Sequence, residues 1–198
     1  MAQLVARMHG VHEAVGSSPA TPTKNYYMIQ IPQLKRLEFW GTVFGIVFGT
    51  MMHFTYAWSG HFPMVGWFAA VNESVWEHTK LIITPVLIFA VVEWRMLKIG
   101  RTVLVAKACE LLFGVLFIIC FFYTYTGALG IQEILIVDIL SFFVAVIIGK
   151  YLSYRILQQP RRIPDELMVG AGIVDVALLF VQILFTYAPP ALPLFISK

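Results

Sequence analysis

The chain has 198 residues, of which 59% are hydrophobic and only 13% are charged. Soluble domains are typically about 45–50% apolar and about 25% charged. This chain therefore has too few polar residues to cover the surface of a protein in water. The composition excludes a cytosolic enzyme, a nucleic-acid-binding protein and a disordered chain, and it indicates an integral protein of the lipid bilayer. The formal net charge of +3 does not indicate nucleic-acid binding. The basic residues flank hydrophobic segments, where they are typical of signals that set the orientation in the membrane.

Residues 1–27 differ from the rest of the chain and contain no apolar segment of the kind found in a secretory signal. The strings Ala2-Gln-Leu-Val, Val15-Gly-Ser-Ser-Pro and Pro22-Thr-Lys resemble the D-arm, the T-arm and the terminal CCA of a tRNA gene read as protein. We therefore expect residues 1–27 to be a non-native or disordered extension, with the protein itself beginning at Met28. A native disordered cytoplasmic tail is the alternative. Residues 28–198 then form one transmembrane domain.

Five apolar segments follow, each close to the length of about 20 residues that a bilayer core of about 30 Å requires. In lipid they must be helical, because exposed backbone polar groups cannot be left without hydrogen bonds. We predict an all-α, polytopic transmembrane helix bundle of about five spans. These spans are residues 37–58, 74–97, 102–126, 131–157 and 167–187. Pro85 predicts a kink in the second span.

The basic residues predict the orientation of the bundle. They precede the first span and cluster between the second and third and between the fourth and fifth spans, at Lys24, Lys35, Arg36, Arg95, Lys98, Arg101, Arg155, Arg161 and Arg162. In contrast, segments 59–80 and 127–132 contain a single basic residue, Lys80. Because short cytoplasmic loops are enriched in Lys and Arg, we expect the N-terminus in the cytoplasm and the C-terminus outside.

The densest group of polar residues lies where the second span begins, in Asn72-Glu-Ser-Val-Trp-Glu-His-Thr-Lys80. On a helix, Glu73, Glu77 and Lys80 share one face, and Ser74 and His78 lie one turn apart on the adjoining face. Two carboxylates beside an imidazole could bind a divalent metal such as zinc. They could equally act as a general acid–base group, which makes Glu73, Ser74, Glu77 and His78 catalytic candidates.

Helix capping is the structural alternative for the same motif. Ser74 followed by Glu77 fits a capping box, Asn72 could be an earlier N-cap, and Glu77 with Lys80 is an ordinary helical ion pair. Capping does not explain His78 or the density of ionisable groups. Both interpretations therefore stay open.

The first span contains a stripe of small residues, Gly41, Gly45 and Gly49, which is typical of close helix packing. His53 continues this stripe by one turn and should face the bundle. Helix rise places it about 7 Å below the outer end of the span, near the depth of Glu73 and His78.

Other ionisable residues occur inside the later spans. Asp138, in the outer half of the fourth span, completes our candidate set of metal ligands: His53, Glu77, His78 and Asp138. Asp175, near the middle of the fifth span, is a second candidate, whereas Lys107 and Glu110 fit an internal ion pair. His61 in the outer loop could join the site or be solvated. No HExxH, CxxC, GxSxG, Walker or dinucleotide motif is present.

The string Asn72-Glu-Ser-Val-Trp-Glu-His78, with the upstream His53-Phe-Thr-Tyr-Ala-Trp-Ser-Gly60, resembles a family of small prokaryotic multispanning proteins of unknown function. The resemblance covers nearly everything from Met28 onward and implies a multi-pass protein of the prokaryotic inner membrane. Ser74 and His78 also match the Ser-x-x-x-His spacing of the alkaline-ceramidase and adiponectin-receptor superfamily of intramembrane zinc hydrolases. The later His-x-x-x-His pair of that superfamily is absent, since no His follows His78.

Three functional hypotheses follow from these residues. The first is a polar, metal-binding site in the outer half of the bundle, such as that of a hydrolase or transferase acting on a lipid-like substrate. The second is a small transporter or ion-conducting protein that uses Asp138 and Asp175 and works as a homo-oligomer. The third is a non-catalytic accessory membrane subunit. The sequence does not decide between them, nor does it identify the cofactor.

Overall fold

The computed structural model describes residues 23–158 and 163–196. Within them the fold is all-α, as predicted, and no strand occurs. Five long helices and one short one follow in chain order: α1 (Thr23–Trp58), α2 (Val75–His78), α3 (Lys80–Leu97), α4 (Gly100–Tyr123), α5 (Leu135–Leu157) and α6 (Asp165–Tyr187). A π-helical segment, Thr124–Ala128, extends α4, and 3-10 turns occur at Pro63–Trp67 and Pro193–Phe195. The expectations for residues 1–22 and for the loop 159–162 lie outside the described residues.

Three of the helical segments are long and apolar enough to cross a membrane: Gly100–Ala128, Leu135–Leu157 and Asp165–Tyr187, each with a mean hydropathy of at least 2.2. The helix α3 is more polar because its 18 residues include Lys80, Glu93 and Arg95. All three of those positions were part of the predicted second span. The chain is therefore a helical protein of the membrane type.

The second predicted span differs most from the structure. It is divided at Thr79 into the four-residue α2 and the longer α3, and residues 72–74 precede the first helical turn. Ser74 is the N-cap of α2, because its side chain accepts a hydrogen bond from the backbone N–H of Glu77. Pro85 lies inside α3.

The helices α3 and α4 provide most of the core. The helix α4 packs against α3, α5 and α6, and a cluster of buried aliphatic residues, including Ile82, Leu111 and Ala145, fills the space between α3, α4 and α5. In contrast, α6 exposes Ile173, Val176 and Phe180. Its buried residues are Ala171, Asp175 and Gln182. An apolar outside with a polar inside is the arrangement expected of a helix that faces lipid.

The helix α1 ends in a turn after Trp58. Gly60 has a φ of +70°, and the backbone N–H of His61 donates to the carbonyl of Tyr56 at 3.1 Å. This is the Schellman motif, in which a residue with a left-handed backbone conformation follows the helix. It allows the next backbone N–H groups to donate to the last carbonyls of the helix. The loop after α1 then turns back toward the start of α2.

Candidate functional site

The glycine stripe of α1 determines where His53 lies. A Cβ atom on Gly49 would come within 2.5 Å of the Leu81 carbonyl oxygen and 2.7 Å of the Phe142 ring. Only glycine therefore allows α1 to lie this close to the first turn of α3. Since His53 is one helical turn beyond Gly49, this close approach brings its imidazole beside residues that precede α3.

The N-terminus of α2 orients His78. The Nδ1 atom of its imidazole lies 2.9 Å from the carbonyl oxygen of Ser74. A carbonyl can only accept a hydrogen bond, so Nδ1 carries the hydrogen in this contact. The Nε2 atom then presents its lone pair on the other side of the ring. A metal-binding histidine is commonly oriented in this way, with its second nitrogen bonded to a backbone carbonyl.

Glu73 lies between the two imidazoles. One carboxylate oxygen is 3.6 Å from His53 Nε2, and the other is 3.4 Å from His78 Nε2. One ligand atom from each residue lies within 4.8 Å of the other two, which no other group of His, Cys, Asp and Glu side chains achieves among the described residues. Donors around a tetrahedral zinc with bonds of about 2.0–2.1 Å are about 3.3 Å apart. Each Glu73 oxygen already lies at about that distance from one imidazole nitrogen.

The site opens toward solvent and is bordered by apolar rings. The side chain of Glu73 is 62% exposed, and those of His53 and His78 are about one third exposed. The Phe54 ring lies nearly perpendicular to the His53 ring, with 4.9 Å between centroids, and Trp58 stacks on Phe54 at 5.8 Å between centroids. A molecule reaching the three donors would therefore pass exposed aromatic surface.

The structure does not bring Glu77 to this group. Its carboxylate forms a buried ion pair of 2.6 Å with Lys80 and accepts a hydrogen bond of 3.0 Å from the backbone N–H of Val71. The Lys80 ammonium also donates to the Gly66 carbonyl oxygen and the Thr186 hydroxyl. Glu77 and Lys80 therefore hold the loop between α1 and α2 against the bundle. Their contacts are those of the ion pair that the structural alternative predicts.

Ser74 caps α2 in the manner that the capping alternative predicts, although only half of the capping box forms. Its hydroxyl accepts from the Glu77 N–H at 3.3 Å, but the Ser74 N–H donates to the Asn72 side chain at 2.9 Å instead of to Glu77. Ser74 thus supplies a cap with its side chain and orients His78 with its carbonyl.

Asp138 and Asp175, the two aspartates predicted as candidates, do not belong to the group of three donors. The Tyr125 hydroxyl donates to the Asp138 carboxylate at 2.6 Å, which links the end of α4 to the start of α5. Asp175 is buried in α6, and its Oδ1 accepts no hydrogen bond from the described residues. His61 is exposed, and its ring lies against that of Tyr56.

A second polar cluster, which we call the inner cluster, was predicted only in part. The expected ion pair of Lys107 and Glu110 is present at 2.6 Å. It is joined by Glu93, Lys150 and Glu38, all of them buried. The sequence contains a signal for the last two. Glu38 precedes the glycine stripe of α1 by one turn, and Lys150 adjoins Gly149, which belongs to a row of small residues spaced four apart on α5: Ser141, Ala145, Gly149 and Ser153.

These features define an all-α integral membrane protein with ionisable groups at two levels of its bundle. The chain belongs to a family of unknown function, DUF6512, whose model matches residues 24–198. Membership in a family without an assigned function is what the sequence predicted. No curated protein and no solved structure matches the chain, so none of the comparisons relates it to the alkaline-ceramidase and adiponectin-receptor superfamily.

Proposed function

We propose that this chain is a multi-pass protein of the prokaryotic inner membrane that binds a divalent transition metal, zinc in the first instance, at His53, Glu73 and His78. The convergence of these three donors within 4.8 Å of one another supports the proposal. Two imidazoles and one carboxylate are a ligand set that catalytic zinc sites use. Asp138 and Glu77 are left out of the set because Tyr125 and Lys80 engage their carboxylates.

The proposed chemistry is hydrolysis or group transfer on a lipid-like substrate. Three protein ligands leave a coordination position for water, and zinc lowers the pKa of bound water to about 7. Exposed aromatic residues beside the donors, Phe54 and Trp58, favour a substrate with an apolar part. Ser74 and Glu77 take positioning roles in this proposal, since the Ser74 carbonyl orients His78 and Glu77 holds Val71 and Lys80.

Metal analysis of the purified full-length protein tests the site. The protein should carry no polyhistidine tag, and His9 and His12 should be replaced in every variant so that the N-terminal histidines do not contribute. We expect one zinc or cobalt ion per chain, lost in both His53→Ala and His78→Ala. His61→Ala is the matched control, because His61 belongs to the same region but not to the group of donors. Equal metal content in all three variants would refute the site.

Transport of a proton or ion is the second candidate function, and it is favoured by Asp175. Its carboxylate is buried in a helix that is long and apolar enough to cross a membrane, and its Oδ1 accepts no hydrogen bond from the described part of the chain. Such groups commonly mark ion pathways. Flux of protons or ions into liposomes that Asp175→Asn abolishes, without any bound metal, would support transport. If neither metal nor flux is found, an accessory role is left.

A further inference from the structure

We propose that the inner cluster binds one exchangeable proton on Glu38, delivered from a cavity between α1 and α5. The cluster comprises the carboxylates of Glu38, Glu93 and Glu110 and the ammonium groups of Lys107 and Lys150. It lies at a different level of the bundle from the metal site, because Glu38 precedes His53 on α1 by a helical distance of about 22 Å. This proposal does not depend on metal binding.

The charges of the inner cluster do not balance. Three carboxylates face two ammonium groups, so the fully ionised cluster carries one excess negative charge. All five side chains are at most 6% exposed. An uncompensated charge in such surroundings is unfavourable, and a buried group takes up or loses a proton to remove it. One proton shared among the three carboxylates makes the cluster neutral.

Hydrogen bonding indicates which carboxylate holds the proton. Glu93 has Lys107 at 2.7 Å and Lys150 at 2.9 Å, and Glu110 has Lys107 at 2.6 Å. Glu38 is less well bound, since its Oε1 accepts a hydrogen bond of 3.3 Å from the Ser153 hydroxyl and its Oε2 accepts none. The nearest ammonium, that of Lys150, is 3.5 Å from Oε2. Glu38 is therefore the carboxylate that loses least when it is protonated.

A cavity of about 300 Å³ connects Glu38 to the surface. Its lining includes Lys35, Glu38, Thr42, Lys150, Tyr151 and Tyr154, and Lys35 is exposed. Hydronium in this cavity gives its proton to the Glu38 carboxylate: an O–H bond of hydronium breaks, an O–H bond forms at one carboxylate oxygen, and a water molecule is left behind. A metal cation does not fit the same place, because Oε2 is fully buried and Lys150 stands beside all three carboxylates.

Infrared spectroscopy of the metal-free, full-length protein tests the proposal directly. We expect a carbonyl band of a protonated carboxylic acid at neutral pH that shifts in D₂O and in protein labelled with ¹³C at its glutamate carboxyl groups. The band should vanish in Glu38→Gln and move in Glu38→Asp. It should persist in Glu166→Gln, whose carboxylate is exposed at the start of α6. All samples should carry Asp175→Asn, since Asp175 is a second buried acid.

Thermal unfolding gives an independent measurement. The native wild type holds a proton that the unfolded chain releases above the ordinary glutamate pKa of about 4.3. Because the native state then binds more protons than the unfolded state, stability must fall as pH rises. We expect the Tm of the wild type to decline between pH 5 and pH 9 relative to that of Glu38→Gln, and Glu166→Gln to follow the wild type. Parallel curves for wild type and Glu38→Gln, or a wild-type spectrum without a glutamic acid band at neutral pH, would overturn the proposal.

Discussion

The imidazole rings of His53 and His78 are stacked, with 5.3 Å between their centroids and 21° between their planes. Each turns its Nε2 toward a different oxygen of Glu73. One ring comes from near the C-terminal end of α1 and the other from the last residue of α2, so the arrangement depends on the packing of two elements. Nitrogen lone pairs that converge on one carboxylate repel it unless a proton or a cation lies between them. This relationship is the basis of the first two predictions.

Replacement of Glu73 should weaken metal binding without harming the fold. We expect Glu73→Gln to lower the affinity for zinc at least tenfold, or about 1.4 kcal/mol, because the amide is a poorer ligand than the carboxylate. The Tm of the metal-free variant should match that of the wild type, since Glu73 is 62% exposed. Competition with a chromophoric chelator measures the affinity, and Glu166→Gln is the control for loss of an exposed carboxylate. Unchanged zinc affinity in Glu73→Gln would remove Glu73 from the ligand set.

Zinc binding should weaken in acid. Protons compete with the metal for imidazole nitrogens, and the ordinary histidine pKa is about 6.5. We expect the apparent affinity to fall steeply between pH 6.5 and pH 5 and to change much less between pH 7 and pH 8. The same chelator competition at a series of pH values measures this dependence. An affinity that is constant from pH 5 to pH 8 is incompatible with two histidine ligands.

Enlargement of Gly49 should disturb both the fold and the metal site. In Gly49→Ala the new methyl group would meet the Leu81 carbonyl oxygen at 2.5 Å, a backbone contact that cannot rotate away. The helix α1 must move away from α3, which separates His53 from His78. We expect a destabilisation of about 1–3 kcal/mol, the usual cost of overpacking, together with weaker zinc binding. In Gly127→Ala, where nothing lies within 4 Å of the new atom, both Tm and zinc affinity should stay at the wild-type level.

The sequence predicted the helices better than it predicted the grouping of the polar side chains. Apolar runs of membrane length and the stripe of Gly41, Gly45 and Gly49 are local signals, and they were sufficient for the fold class and for the inward direction of His53. The helical spacing also grouped Glu73 with Glu77. This grouping does not occur, because Glu73 precedes the N-cap Ser74 and so is not on the helix.

The remaining differences depend on contacts between distant parts of the chain. Glu77 pairs with Lys80, whose ammonium also binds the Gly66 carbonyl of the loop after α1 and Thr186 of α6. Glu38 and Lys150 meet across α1 and α5. Helical spacing predicted the pair of Glu77 and Lys80. It contains no information about the contacts of Lys80 with Gly66 and Thr186, or about the contact of Glu38 with Lys150. Each charged residue inside an apolar segment needs a partner of opposite charge. A search for such partners would have identified Glu38 and Lys150 as candidates.

Removal of one partner from the buried pair of Glu77 and Lys80 should be strongly destabilising. The variant Glu77→Gln leaves a buried ammonium without its counter-ion, and breaking such pairs typically costs about 3–5 kcal/mol. We expect the double variant Glu77→Gln/Lys80→Met to be less destabilised than the sum of the two single variants, because it leaves no unpaired charge. Unfolding of the metal-free protein in detergent measures all three. Additive effects would mean that the two side chains do not interact.

The orientation of the bundle can be tested with single cysteines. The basic residues at positions 95–101 and 155–162 predict that these connections are cytoplasmic, and segment 59–80, with Lys80 alone, is then outside. In a background with Cys109 and Cys120 replaced, Ser59→Cys should react with a membrane-impermeant thiol reagent in intact cells, since Ser59 follows the end of α1 and is exposed. Gln159→Cys should react only after the cells are permeabilised. The opposite pattern would place His53, Glu73 and His78 on the cytoplasmic side, and a proposed hydrolase would then draw its substrate from the inner leaflet.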